Sequence, residues 1–419
     1  MIRFELKKIF GIRIIIVIVV TMIVFSSYLF FINRDEIGKS KVHAKVLKEV
    51  EREFAVFNHG VKSKANAEEF RVILDNKIIS LAFSDDKYTG SVYSSVNSGL
   101  REQLDRQDLI DTLSFNSNTS DDLKSFYEKK VEFGIYDSRI AERMIESMSY
   151  SGVLIVLLAF VFSSAFAIET DLEPVLHATR LGRREVYKAK ETAAVLGSLL
   201  LTVAFFLAYL LTLFIIYGNL GSIWNMPLYA VPGFSSSAHG LTVGDFFFRQ
   251  LIFSMVVSVL VTEFTLLISK IFRKKPLCAF ISLSCLFIFR SLDILYNRVY
   301  YSEYETSGFR LMSKVTFDNL YEKNIKYNPF SLLNTSVYLR KVDFTVVGDR
   351  LVMQFVFPFI VALLLSSAIH FLIINLNRKN HASFSRKHRN PGEIPEKPTV
   401  FCFLNSRRLS IRDLSLFNA

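Results

Sequence analysis

The sequence has little of what marks a catalyst or a disulfide-stapled secreted domain. Its 419 residues include three cysteines and one tryptophan. None of the cysteines falls in the long polar stretch 33–148, so no disulfide framework is encoded there. Cys278 and Cys285 stand seven apart on one face of an apolar helix, where packing is their expected role, and Cys402 lies in the tail. No G-x-x-x-x-G-K-[ST] occurs, so the chain has no phosphate-cradling loop with which to hydrolyse ATP. H-E-x-x-H, G-x-S-x-G and paired cysteine ligands are missing too, and the seven histidines are scattered. The chain is expected to hold no cofactor and to catalyse no covalent chemistry.

Apolar residues are what it has in abundance. The chain is 51% hydrophobic, carries 40 phenylalanines and has a mean hydropathy of +0.32. Several apolar runs are long enough to cross a bilayer, so the class is a polytopic membrane protein. The net charge of +11 raises nucleic-acid binding as a possibility, but its distribution answers otherwise. Segments 1–13, 169–191, 270–276 and 378–419 hold 22 Lys/Arg against 9 Asp/Glu, while the alternate segments 33–148, 218–246 and 298–350 hold 26 against 28. The positive-inside rule puts the first set, and both termini, in the cytosol. The basicity is explained by the membrane, with no nucleic acid needed.

In order, Met1–Phe10 reads as a short amphipathic helix in the inner interface, with Ile2, Leu6 and Ile9 on one face and Phe4 on the other. Ile12–Ile32, about 31 Å as a helix, is the first span; without a small-x-small cleavage site after it, it reads as an uncleaved anchor. Residues 33–148 form an outer domain. Val42, Val46, Val50, Phe54 and Phe57 recur at helical spacing, as do Phe70, Leu74, Ile78 and Leu81, and Ile140, Met144 and Met148 carry the period into the second span. Ser84–Gly99, rich in Ser, Tyr, Asn and Gly, reads as a loop. Ser151–Ile168 and Ala193–Tyr217 are the second and third spans. The lysine-free stretch Gly218–Gln250 is an outer loop that dips into the interface. The fourth span is about Phe246–Ile271, and the fifth, Leu277–Leu295, follows a tight basic turn. Residues 298–350 are a second outer region, and Leu351–Leu376 is the sixth span, kinked at Pro358. The fold class is thus all-α, with six transmembrane helices and a mostly helical outer domain between the first two. The basic tail 378–419 reads as disordered.

Between the second and third spans lies FAIETDLEPVLHATRLGRREVYKAKETAA, residues 166–194. Glu173 as N-cap and Pro174 at the first helical position start a short helix, Gly182 stops it, and a second helix begins near Arg184. This acidic residue after a span, then leucines, then Thr-Arg-Leu-Gly-Arg-Arg and a lysine entering the next helix, resembles the cytosolic loop of ABC-2 type transporter permeases. The six-span layout of residues 1–377 is similar as well. The resemblance implies an exporter subunit in a bacterial cytoplasmic membrane, with a second copy or related permease and a separate ATPase that binds ATP and Mg²⁺. It implies that segment 169–191 couples to that ATPase through Glu169, Leu176, Thr179, Arg180, Gly182, Arg183, Arg184 and Lys190.

Charges inside spans are costly and often functional. Glu263 lies in the fourth span toward its inner end, where contact with the basic inner ends or an adjacent helix is expected ahead of the alternative, proton transport. Arg290 and Asp293, three apart in the fifth, can pair on one face. His370 in the sixth is expected to hydrogen-bond to another helix. Two other classes fit the composition: a sensor or scaffold using the 33–148 domain, and a membrane-embedded enzyme. Peptide, drug, lipid and ion are all open as cargo.

Overall fold

The computed structural model describes residues 2–34, 37, 40–57, 64–82, 87–115, 131, 133–147, 152–163, 182–218, 221–237, 240–272, 276–288, 327–333, 335–340, 344–347 and 350–387. Residues 388–419 of the expected tail, much of segment 169–191 and most of the second outer region lie outside them. The chain divides into a large unit, Met1–Leu372, and a C-terminal unit, Ile373–Ala419. In the C-terminal unit the described residues, 373–387, are helical, so residues 378–387 continue the preceding helix and correct the disorder expected from 378 onward.

Helix α1 is Ile2–Ile9 and α2 is Ile12–Ile32. The buried side of α1 carries Glu5 and Ile9, whereas Ile2 and Phe4 are exposed, so Ile2 is not on the packed face. Apolar all round, α2 buries Ile18, Phe25 and Leu29 as one stripe and leaves Ile16, Ile23, Val24 and Phe31 exposed. Such a surface suits hydrocarbon rather than water.

Three helices follow: α3 (Ser40–Phe57), α4 (Lys64–Ala82) and α5 (Lys87–Phe115). They share a core of Val46, Val50, Phe54, Phe70 and Leu74, as the period implied, joined by Val92, Tyr93, Val96 and Leu100 of α5. The last four correct the loop expected over 84–99. Serine, asparagine and glycine are weak helix formers, but burial along one face at i, i+1, i+4 and i+8 outweighs a few tenths of a kcal/mol of propensity per residue.

Beyond this polar domain come α6 (Ser138–Ser147) and α7 (Gly152–Phe162), which belong to one span-length run, Ser138–Phe162. Helix α8, Gly182–Tyr217, has 36 residues, about 54 Å, against a hydrocarbon core of about 30 Å. It packs on α1, α2, α7 and a 30-residue helix described next.

A buried loop follows α8, containing α9 (Gly221–Trp224) and a 3₁₀ turn, Leu228–Ala230. Met226, Leu228, Ala230, Val231 and Phe234 are all buried in it. Helix α10, Val243–Phe272, starts with a reciprocal cap. The Asp245 amide donates to Thr242 Oγ1 (3.1 Å) and the Thr242 amide to Asp245 Oδ2 (2.9 Å). Helix α11, Pro276–Ile288, is the described part of the expected fifth span. After a 3₁₀ turn, Pro329–Leu333, and α12 (Thr335–Arg340), strands β1 (Phe344–Val347) and β2 (Arg350–Met353) pair antiparallel. Helix α13, Val356–Lys387, completes the described chain.

Two expectations are corrected here. The last span begins at Val356 rather than Leu351, because Leu351–Met353 is strand. Pro358 therefore stands in the first helical turn, where an amide has no intrahelical partner to lose, and it gives no ground for a kink. Beside the β-ribbon, the described residues hold an isolated antiparallel bridge between Pro227 and Thr242 and short irregular segments. Five helical runs are long and apolar enough to cross a membrane: Ile12–Ile32, Ser138–Phe162, Glu185–Tyr217, Val243–Phe272 and Val356–Leu376. The chain is mostly helical and compatible with multi-pass membrane embedding.

Candidate functional site

Of the residues expected to couple, Glu169, Leu176, Thr179 and Arg180 lie outside the described residues, as do Arg290 and Asp293. Gly182, Arg183 and Arg184 form the first turn of α8. The helix thus begins two residues before Arg184, with Gly182 inside its start. Lys190 is buried, its ammonium 6.0 Å from the centre of the Tyr187 ring one turn earlier. Lys270, near the end of α10, lies 5.0 Å from the same ring. One aromatic ring attracting two cations ties the ends of α8 and α10 together.

Deeper in the apolar part of the bundle, Glu263 accepts a hydrogen bond from Ser366 of α13. His370, one turn beyond Ser366, has Nδ1 2.6 Å from Glu191 Oε1 on α8. The expected contacts of Glu263 and His370 with neighbouring helices are therefore present. Glu191 and Ser366 were not singled out from the sequence. A glutamate two residues before a long apolar run was the available signal.

A second polar feature runs along α10. Gln250, Ser254, Ser258, Thr262, Thr265 and Ser269 are all buried and recur at three- or four-residue spacing. Thr202 of α8 donates to Ser258 at 2.7 Å, and Gln250 Nε2 donates to the Leu333 carbonyl at 3.0 Å. Small hydroxyls at this spacing let helices approach closely in lipid and give their side chains partners.

In the polar domain, Ser95, Asp137 and His43 form a group with the residue types of a catalytic triad but a different order. Ser95 donates to Asp137 Oδ1 at 2.6 Å, while His43 Nε2 meets Oδ2 of the same carboxylate. Among the described residues the serine hydroxyl is held by the carboxylate and not by the imidazole, so the serine–imidazole pairing of a triad is not formed. Asp137 Oδ1 also accepts from the Arg139 amide at 3.2 Å, which makes it the N-cap of α6. Among the described residues no group of three or more His, Cys, Asp or Glu is placed to hold a metal ion. No protein-family model, curated protein or solved structure matches the chain.

Proposed function

We propose that the chain is the membrane-spanning subunit of an ATP-binding cassette exporter of the ABC-2 type. In this reading six spans, namely the five membrane-length runs together with the fifth in chain order, 277–295, whose start is α11, enclose a pathway with a second permease copy. The 33–148 domain faces outward, both termini face the cytosol, and ATP and Mg²⁺ are bound by a separate ATPase subunit.

The observation that supports the reading is the continuity of α8. It begins with Gly182, Arg183 and Arg184 at the end of the basic segment and runs unbroken to Tyr217. A push on its first turn has a stiff rod to act through, because the backbone hydrogen bonds of a helix resist axial compression. The rod packs on α1, α2, α7 and α10, so its displacement is felt by most of the bundle. The lysines gathered on Tyr187 make α10 follow α8 at that end.

Reconstitution of the purified chain with its ATPase tests this. Reversing Arg183 and Arg184 to Glu should leave the protein inserted but abolish substrate-stimulated hydrolysis. Wild-type hydrolysis by that variant would remove the coupling role, and transport without any ATPase would end the exporter reading.

A further inference from the structure

Glu191, Glu263, Ser366 and His370 come from three helices and meet in the half of the bundle away from the polar domain. Glu191 and Glu263 are each 7% exposed. Their hydrogen-bonding partners are His370 and Ser366 respectively, and the charges of Glu191 and His370 act on Glu263. Other ionisable groups toward this end of the packed elements include Glu185, Tyr187, Lys188 and Lys190 of α8, Lys270 of α10, and Arg3, Glu5, Lys7 and Lys8 of α1. Lys190 and Lys270 gather at Tyr187, one helical turn from Glu191 toward the end of the bundle.

Two carboxylates beside one imidazole cannot be electroneutral without protons. With all three bases empty the group carries two negative charges, and two protons bring it to zero. Hydrocarbon surroundings make residual charge expensive. Among the described residues, the helix that brings His370 buries little of its apolar surface. Over residues 356–372, α13 buries Pro358 and Ala362 and leaves Leu363, Leu364, Leu365 and Phe371 exposed. Its ring contacts, Phe253 with Phe355 at 5.4 Å and with Phe359 at 6.4 Å, lie near its first turn. Toward His370, the polar contacts with Glu263 and Glu191 attach it among the described residues.

We propose that Glu191, Glu263, Ser366 and His370 form an intramembrane proton-binding site whose occupancy fixes α13 to α8 and α10. One proton makes His370 cationic against the Glu191 carboxylate. The second resides on Glu263, with Ser366 donating to its other oxygen, and the set is neutral. Release of a proton to water at the near end of the span leaves net negative charge facing hydrocarbon. That charge is relieved when α13 moves off and water enters. The inference does not rest on the exporter reading, and it is tested without an ATPase.

The full chain in nanodiscs, titrated by infrared difference spectroscopy, should show a protonated-carboxyl band that is absent from the Glu191→Gln/Glu263→Gln variant. Its midpoint should rise by about one pH unit in His370→Gln, since a nearby cation holds a carboxyl pKa down. A cysteine at the buried Ala362, with the native cysteines replaced, should react with a thiol reagent several-fold faster as pH passes the midpoint. Should the double variant not fold, Ser366→Ala, which removes one donor to Glu263, must move the same midpoint. Absence of the band, a midpoint indifferent to His370→Gln and Ser366→Ala, or labelling independent of pH would each overturn the proposal.

Discussion

Arg106 donates from Nη1 to the carbonyl of Ser237 at 2.6 Å, joining residues 131 positions apart. It also reaches the Ser235 carbonyl at 3.2 Å, and its guanidinium lies 6.0 Å from the Tyr229 ring. One turn earlier on α5, Glu102 accepts from the Gly233 amide at 3.0 Å and the Ser235 amide at 3.2 Å. The polar domain thus grips the loop between α8 and α10 by both kinds of backbone group. Arg106→Met should lower stability by about 2–3 kcal/mol, because buried carbonyls lose a charged donor. Glu102→Gln should cost about 1 kcal/mol, since its contacts are nearer solvent. Thermal unfolding of the purified chain reads both, and unchanged midpoints would mean the clamp is incidental.

Gly197 of α8 and Phe10 approach so closely that a β-carbon at 197 would stand 2.7 Å from Phe10 Cε2 and 3.0 Å from Cζ. In a helix interior Gly→Ala ordinarily gains about 1 kcal/mol. Here overpacking, at about 1–3 kcal/mol, should outweigh that gain, and Gly197→Ala should be destabilising. Adding Phe10→Ala should recover the ordinary sign. A stabilised Gly197→Ala single variant would show that the Phe10 ring swings aside freely.

The polar domain should weaken in alkali. Lys77 is pulled down by burial, but hydrogen bonds to Glu53, at 2.5 Å, and Tyr93 outweigh this and leave it above its ordinary 10.5. Burial pushes Tyr93 above 10.0 against the opposing pull of Lys77, whose ammonium lies 4.6 Å from the ring centre. Both folded values are raised. Their stabilisation is therefore complete below 10.0 and 10.5 and is lost as pH climbs through the folded values. Lys77→Gln should flatten the stability profile above about pH 10. An equally steep profile in that variant would place the alkaline transition elsewhere.

The charge distribution predicts sidedness. With the native cysteines replaced, Asn76→Cys on α4 should react with an impermeant thiol reagent added to intact cells. Lys188→Cys near the start of α8 should react only after lysis. Both side chains are exposed, so access within the protein does not limit either reaction. Labelling of Lys188→Cys from outside would reverse the orientation.

Much of the architecture was legible in the sequence, and the misreadings share a cause. The repeats through Val46, Val50 and Phe54, and through Phe70 and Leu74, gave helices whose buried faces are those residues. The Thr242–Asp245 cap was also written in the sequence as T-x-x-D before an apolar run. Residues 84–99 misled because local propensity competed with a buried face that is recognisable only once α3 and α4 are beside it. Pro358 misled because a proline's effect depends on how many residues of helix precede it, and β2 set that number.

By itself the sequence determined that this chain has helices of membrane length. Transfer of an apolar segment out of water is a sum over about 20 neighbouring residues, and it does not depend on what the segment later touches. Only the tertiary structure decided which side chains meet. Glu191 and His370 are 179 positions apart, and their contact is fixed by the rotation and tilt of α8 and α13. Those angles are set by side-chain interlocking across the whole bundle, Phe10 against Gly197 and Trp224 against Gly244 among it, which no local window contains.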